Sequence, residues 1–123
     1  MRLFTWFALL LFGAASLAAA SHDPWIKHVP DKARLRRNPF VGNADAVAAG
    51  SKLFRQHCAA CHGSDAEGSK RKPPLRSGRI KKALPGELEW LLRNGCQRNG
   101  MPSWSHLPEQ QRWQIVTYLK SIQ

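Results

Sequence analysis

The sequence predicts a small helical domain. Three segments carry apolar residues at the three- and four-residue spacing of an α-helix, at residues 43–58, 86–94 and 108–123. No run of β-branched residues near the cysteines indicates a strand or a βαβ unit. Stretches that contain Gly and Pro separate the helical segments, and we expect loops there, including all of residues 63–83.

The first helix is predicted to begin at Asn43, a favourable N-cap residue. Val47, Gly50, Phe54 and Cys58 then recur on one face. A Gly inside a helix costs about 1 kcal/mol relative to Ala, so we expect Gly50 to admit the backbone of another helix. The last helix is the expected partner.

The other two helices have shorter signatures. Residues 86–94 are predicted to place three leucines on one face and to end at Asn94-Gly95. The last helix is predicted to begin near Pro108-Glu109. Its apolar stripe consists of Ile115, Val116, Leu119 and Ile122.

The N-terminal residues are typical of a secretory signal peptide. Arg2 supplies a positive start, residues 3–12 are almost wholly apolar, and three alanines end at Ala20, where we expect cleavage of residues 1–20. The alternative is an uncleaved anchor, although the stretch is slightly shorter than the roughly 20 residues of a spanning helix. Residues 21–42 contain three prolines and several arginines, which predicts an extended basic arm or linker before the main domain at 43–123.

The chain is strongly basic, with a formal net charge of +11. In an exported protein this charge favours an acidic protein or an anionic membrane surface as partner, and it argues against nucleic acid. Residues 69–82, here called the basic loop, are either a solvated surface or a docking patch. Their basic residues are Lys70, Arg71, Lys72, Arg76, Arg79, Lys81 and Lys82.

Residues 58–62, Cys-Ala-Ala-Cys-His, form a C-x-x-C-H motif. Thiols at this spacing can add to the two vinyl groups of one haem, and His62 then reaches the iron. A redox disulfide is one alternative, but C-x-x-C redox motifs are normally found beside a βαβ unit, which this sequence does not indicate. A zinc site that includes Cys96 is another, but the adjacent residues Cys61 and His62 would both have to bind the same tetrahedral zinc ion. We therefore predict one haem c, covalently attached at Cys58 and Cys61.

A second axial ligand decides whether a haem carries electrons or binds small molecules. Met101 is the only methionine besides the initiator, and it lies between Gly100 and Pro102 in a predicted stiff loop. A thioether ligand raises the reduction potential, and two occupied axial positions suit electron transfer. The alternatives are a Met101 that only fills space in the core, or ligation by His106 or, less favourably, His57.

Residues 43–121 resemble a class I, single-haem c-type cytochrome of the bacterial periplasm. The matching residues are, in order, Gly50-x-x-x-Phe54, Cys58-x-x-Cys61-His62-Gly63, Pro73-x-Leu75, Gly100-Met101-Pro102 and Val116-Thr117-Tyr118-Leu119-Lys120. The resemblance implies an all-α cytochrome c fold, with three main helices and loops wrapped around one covalently bound haem. Residues 21–42 and Cys96 lie outside this pattern.

The resemblance also implies contacts and roles for individual residues. The first and last helices would cross, with Gly50 and Phe54 packed against Ile115 and Tyr118. The carbonyl of Pro73 would accept a hydrogen bond from the ring nitrogen of His62 that does not bind iron, and so orient it. The iron would be held by His62 and Met101.

The implied function is electron transfer rather than catalysis. By analogy with the family, a periplasmic carrier would shuttle single electrons in a respiratory chain, between acidic partners such as a dehydrogenase, a quinol-oxidising complex or a terminal oxidase. One alternative is a haem-bearing subunit of a larger dehydrogenase or oxidase complex, with residues 21–42 as the attachment arm. Another is a haem enzyme or gas sensor with an open or labile sixth position.

Overall fold

The computed structural model describes residues 24–70 and 72–123. Within these ranges the chain forms six α-helices, two short 3-10 turns and no strand longer than an isolated bridge. The helices are α1 (Asp31–Arg34), α2 (Ala44–His57), α3 (Ala59–His62), α4 (Gly78–Lys82), α5 (Pro85–Asn94) and α6 (Glu109–Ser121). The prediction of an all-α fold with three main helices, now α2, α5 and α6, is confirmed.

The signal peptide predicted at residues 1–20 lies outside the described residues. In the part of the chain that the structure describes, no helix combines the length and the apolar character needed to cross a bilayer.

The core lies where α2 crosses α6. Asn43 begins α2 as predicted, because its side-chain oxygen accepts a hydrogen bond from the Ala46 N–H at 2.9 Å. A Cβ atom added at Gly50 would lie 1.9 Å from the carbonyl oxygen of Gln114 in α6. One turn later the rings of Phe54 and Tyr118 lie 5.4 Å apart. Gly50 therefore admits the backbone of the last helix, as the sequence predicted.

Gly50→Ala is expected to destabilise the haem-loaded protein by about 1–3 kcal/mol, because the added methyl group meets backbone that cannot move without separating the two helices. Urea denaturation measures the change. Gly78→Ala is the matched control, since a Cβ at this position in α4 meets nothing within 4 Å. Equal free energies of unfolding for the two variants would contradict this account of the helix crossing.

Residues 78–82 form helix α4, although the sequence predicted loop throughout 63–83. Ser77 begins the helix, since its hydroxyl oxygen accepts a hydrogen bond from the Ile80 N–H at 3.5 Å, and Ile80 is buried. The ammonium group of Lys120 in α6 donates to the carbonyl oxygens at positions 80, 81 and 83, at 3.3, 2.7 and 3.0 Å. A cation from a distant helix thus stabilises the C-terminal end of α4.

Residues 24–42 wrap around the domain and are less extended than predicted, because they contain a 3-10 turn and helix α1. Gly86, at the start of α5, lies against their backbone, and a Cβ there would come within 2.3 Å of the Ala33 carbonyl oxygen. Nearby, the Arg34 Nε atom lies 3.2 Å from the Glu87 carboxylate. This packing attaches the segment to α5.

A network of charged side chains joins this segment to α5 and α6. Glu89 is fully buried and accepts hydrogen bonds from Arg112 Nε at 2.8 Å and from Arg36 Nη1 at 3.0 Å. Arg36 also pairs with Glu109 and lies over the Trp113 ring, 5.3 Å from its centroid. Because a buried carboxylate is stable only when it is paired, the network requires all three elements to be in place.

Candidate functional site

The two motif cysteines and His62 lie on a single helical turn that follows α2. Cys58 ends α2, and its carbonyl oxygen accepts hydrogen bonds from the Cys61 N–H at 3.2 Å and the His62 N–H at 2.9 Å. Cys58 and His62 are half-buried, whereas Cys61 is exposed. The turn therefore presents two thiols and an imidazole in consecutive order along the chain.

Two observations do not suit the alternative interpretations of the motif: the pKa of Cys58 bears on a redox disulfide, and the grouping of side chains bears on a zinc site. Burial raises the pKa of Cys58 to about 11, and the neighbouring Cys61 adds to the shift. A reactive redox cysteine needs a lowered pKa, so the raised pKa of Cys58 does not suit a redox disulfide. All three cysteines are free, and among residues 24–70 and 72–123 no three His, Cys, Asp or Glu side chains are grouped to hold a metal ion.

His62 contacts Pro73, the residue that the resemblance implies would orient it. Its Nδ1 atom lies 3.3 Å from the carbonyl oxygen of Pro73. Since a carbonyl only accepts hydrogen bonds, Nδ1 carries the proton and the lone pair of Nε2 is free. Burial lowers the pKa of His62, the Pro73 hydrogen bond opposes this shift, and the charge of Lys72 lowers the pKa further. The ring is therefore neutral at pH 7, which is the form that binds a metal.

The loop that carries Pro73 folds back on the motif through residues that the sequence analysis did not single out. The His62 carbonyl oxygen accepts a hydrogen bond from the Gly68 N–H at 2.7 Å, and buried Ala66 adopts a positive φ of 64°. A Cβ at Gly68 would lie 2.7 Å from the carbonyl oxygen of Lys72. The glycine spacing after the motif was the available signal, since a close turn of this kind excludes side chains.

Met101 lies on a separate loop after α5 and is half-buried beside the core. Its backbone pairs with Cys96, which is also half-buried. The rival ligands lie together at Trp104, whose ring centroid is 5.4 Å from those of both His57 and His106. His106 is exposed, and His57 is half-buried.

The surroundings fit a haem. The donor set consists of two thiols, a neutral imidazole with a free Nε2, and a thioether, which are the groups that bind haem c. Cys58 and Met101 pack against the buried core together with other partly buried apolar side chains, whose burial a flat apolar group could complete. These include Leu53, Ala59, Leu75 and Trp104.

Basic side chains follow the site along the chain. Lys72 directly precedes Pro73, and its ammonium group lies 3.5 Å from the carbonyl oxygen of Asn99 on the loop that carries Met101. Lys70 and Arg76 are exposed before α4. Three further basic residues, Arg79, Lys81 and Lys82, are exposed on α4. Arg71 lies outside the described residues.

Comparison with known proteins places this geometry in a family. Residues 45–119 match the family model described as cytochrome C oxidase, cbb3-type, subunit III. Cytochrome c550 of Pseudomonas aeruginosa strain PAO1 is 32% identical over 93 residues, which cover 70% of this chain and 62% of the relative. The chain thus spans less than two thirds of the length of that relative.

A solved structure agrees on the fold. Cytochrome cL from the marine methylotrophic bacterium Methylophaga aminisulfidivorans MPT has a TM-score of 0.61 and 24% identity, and the match covers 93% of this chain and 73% of that one. The family match spans more than half of the chain and includes the C-x-x-C-H motif and Met101. The chain therefore belongs to this cbb3-type subunit III family and is a class I c-type cytochrome with covalently bound haem c.

Proposed function

We propose that the chain is an electron carrier of the periplasm, in which His62 and Met101 both hold the iron. Haem c supplies a one-electron couple between iron(II) and iron(III). The observation that carries the proposal is the pair of donors in fixed loops: an imidazole with its Nδ1 proton directed to the Pro73 carbonyl, and a thioether on a loop closed by backbone hydrogen bonds. Fixed ligands suit electron transfer because little has to move when the charge changes.

Each residue has a distinct task in this proposal. Cys58 and Cys61 would form the thioether bonds to the haem, and His62 would bind the iron through Nε2. Pro73 fixes the tautomer and orientation of the ring, and such outer contacts tune a metal. Met101 would supply the second iron ligand, and its thioether would favour the reduced state.

The charge distribution supports transfer between acidic protein partners. The net charge of +11 and the exposed residues of the basic loop would attract an acidic docking surface and speed the encounter. Dehydrogenases, quinol-oxidising complexes and terminal oxidases are the partner classes that the family suggests. Export by the signal peptide proposed at residues 1–20 would bring the chain to such partners. Their association is expected to weaken as the salt concentration rises.

A haem-bearing subunit is the second candidate, because the description of the matching family names an oxidase subunit. In that case the protein would remain with an acidic partner in a complex of defined stoichiometry when membranes are washed with salt. A carrier would be released by the same wash, so size-exclusion chromatography of the washed and solubilised fractions distinguishes the two.

The carrier proposal predicts that both axial positions of the iron are occupied in the oxidised and the reduced protein. The haem-loaded protein is expected to give a low-spin spectrum when oxidised and when reduced, and to bind carbon monoxide only slowly when reduced. Optical spectroscopy before and after addition of carbon monoxide measures both. A high-spin reduced spectrum with immediate carbon monoxide binding would contradict the carrier and favour the enzyme or gas sensor.

A further inference from the structure

The loop of residues 95–103, here called the Met101 loop, is closed by its own backbone. The Cys96 N–H donates to the Met101 carbonyl oxygen at 2.9 Å, and the Met101 N–H donates to the Cys96 carbonyl oxygen at 3.0 Å. Gly100 makes the turn with a left-handed φ of 76°. The Asn99 side-chain amide also lies 3.2 Å from the Cys96 sulfur. Met101 is thus part of a small hydrogen-bonded ring of chain.

Gly95 lies where this loop leaves α5, and it is in contact with the returning chain. Its φ of 72° is in the left-handed region. A Cβ atom there would lie 2.8 Å from the Met101 carbonyl oxygen, 2.6 Å from the Pro102 carbonyl carbon and 2.7 Å from the Ser103 nitrogen. All three atoms belong to the backbone, so no side-chain rotation can relieve the collision.

The returning chain is also attached to the end of α5. The Ser103 hydroxyl donates to the Arg93 carbonyl oxygen at 2.6 Å, and the Trp104 N–H donates to the Leu92 carbonyl oxygen at 2.8 Å. These bonds satisfy carbonyl groups that the helix end would otherwise leave without partners. A methyl group at position 95 would therefore be forced between two segments that are bonded to each other on both sides.

We propose that Gly95 is a positioning residue for Met101. Its lack of a side chain lets residues 101–103 pack on the end of α5, and this packing holds the thioether ready for the iron. A ligand that is already in place loses less conformational entropy on binding, so Met101 would remain bound to the iron for a larger fraction of the time. The inference rests on the proposed ligation by Met101, and it assigns the geometry of that ligand to a backbone contact.

The test compares Gly95→Ala with Gly42→Ala in the haem-loaded protein. Gly42 has a similar φ of 75°, but a Cβ there meets nothing within 4 Å, so the control carries the same backbone strain without the collision. Two properties are measured: the intensity of the far-red thioether-to-iron(III) charge-transfer band, and the affinity of the oxidised protein for cyanide.

Gly95→Ala is expected to lose most of the band and to bind cyanide about tenfold more tightly, because apparent affinity follows the population of the open state. Gly42→Ala should match the wild type in both. Gly100→Ala should lie between them, since its added Cβ approaches only the flexible Lys72 ammonium group, at 3.1 Å.

The outcomes separate this inference from the proposal on which it rests. If the wild type shows no band, ligation by Met101 fails and the role of Gly95 fails with it. If the wild type shows the band and Gly95→Ala keeps both the band and the cyanide affinity of Gly42→Ala, ligation stands and the positioning role is overturned. Should Gly95→Ala yield no haem-loaded protein, amide exchange in the wild type decides: slow exchange at Cys96 and Met101 supports the inference, and rapid exchange at both overturns it.

Discussion

Met101→Ala is expected to abolish the far-red charge-transfer band and to lower the reduction potential on the order of 0.1 V or more, since axial ligands set haem potentials over a wide range. If Met101 is the proposed ligand, the loss of its thioether removes the soft donor that favours iron(II). It also opens an axial position, so the reduced variant should bind carbon monoxide rapidly. Optical redox titration and carbon monoxide mixing measure these effects on the haem-loaded protein.

His106→Ala is the matched control for this substitution, because His106 is the rival ligand and its exposed ring only stacks on Trp104. The control is expected to keep the band and to change the potential little. The opposite pattern, in which Met101→Ala keeps a low-spin iron while His106→Ala loses it, would identify His106 as the second axial ligand.

Glu89→Gln is expected to reduce the free energy of unfolding by about 3–5 kcal/mol, because it leaves the charge of Arg112 buried without its carboxylate partner. Glu89 has no exposed surface, and the Arg112 side chain is 7% exposed, so water cannot replace the lost partner. The Gln side chain also places an NH2 group, which donates hydrogen bonds, against arginine N–H groups that can only donate. Urea denaturation of the haem-loaded protein measures the loss.

Glu67→Gln removes the same charge from an exposed ion pair. The carboxylate of Glu67 lies 3.9 Å from Arg76 Nε, and both side chains face solvent. This control should change stability by about 0.5 kcal/mol or less, as exposed pairs do. A Glu89→Gln variant as stable as the Glu67→Gln control would show that the buried network does not join the N-terminal segment to α5 and α6.

Local sequence patterns were sufficient for the three main helices. Helix α2 begins at the Asn43 cap, α5 ends at Gly95, and α6 follows Pro108, because caps, glycines and prolines act through their nearest neighbours. Gly50 was also interpretable, since a glycine on the apolar face of a helix has few uses other than close packing. These features depend on residues within one or two turns.

The features that were missed depend on distant residues. Helix α4 has a local N-cap in Ser77, but its C-terminal end depends on the ammonium group of Lys120, some forty positions along the chain. The burial of Glu89 depends on Arg36 and Arg112, and a charged residue in an amphipathic helix is normally assigned to solvent. Residues 24–42 were expected to be extended for the same reason, because their ion-pair partners lie on α5 and α6.

The candidate site also combines features that the local sequence predicts with features that depend on the folded chain. The C-x-x-C-H motif indicates its chemistry through spacing alone, and the family match agrees with the prediction of haem c. The contact between His62 and Pro73 was implied only by the resemblance, and it is the folded loop that presents the Pro73 carbonyl oxygen 3.3 Å from His62 Nδ1. The contact of Gly95 with residues 101–103 likewise depends on how the Met101 loop closes, and the sequence shows only a glycine after a helix.

The most direct test of the account is the NMR spectrum of the reduced, haem-loaded protein with ¹³C-labelled methionine methyl groups. The chain has only Met1 and Met101, so assignment is simple. The account predicts that the methyl resonance of Met101 is shifted far upfield of the ordinary methionine range by the ring current of the haem. A Met101 methyl resonance within the ordinary range would contradict ligation by Met101, and with it the proposal of a carrier closed on both axial positions.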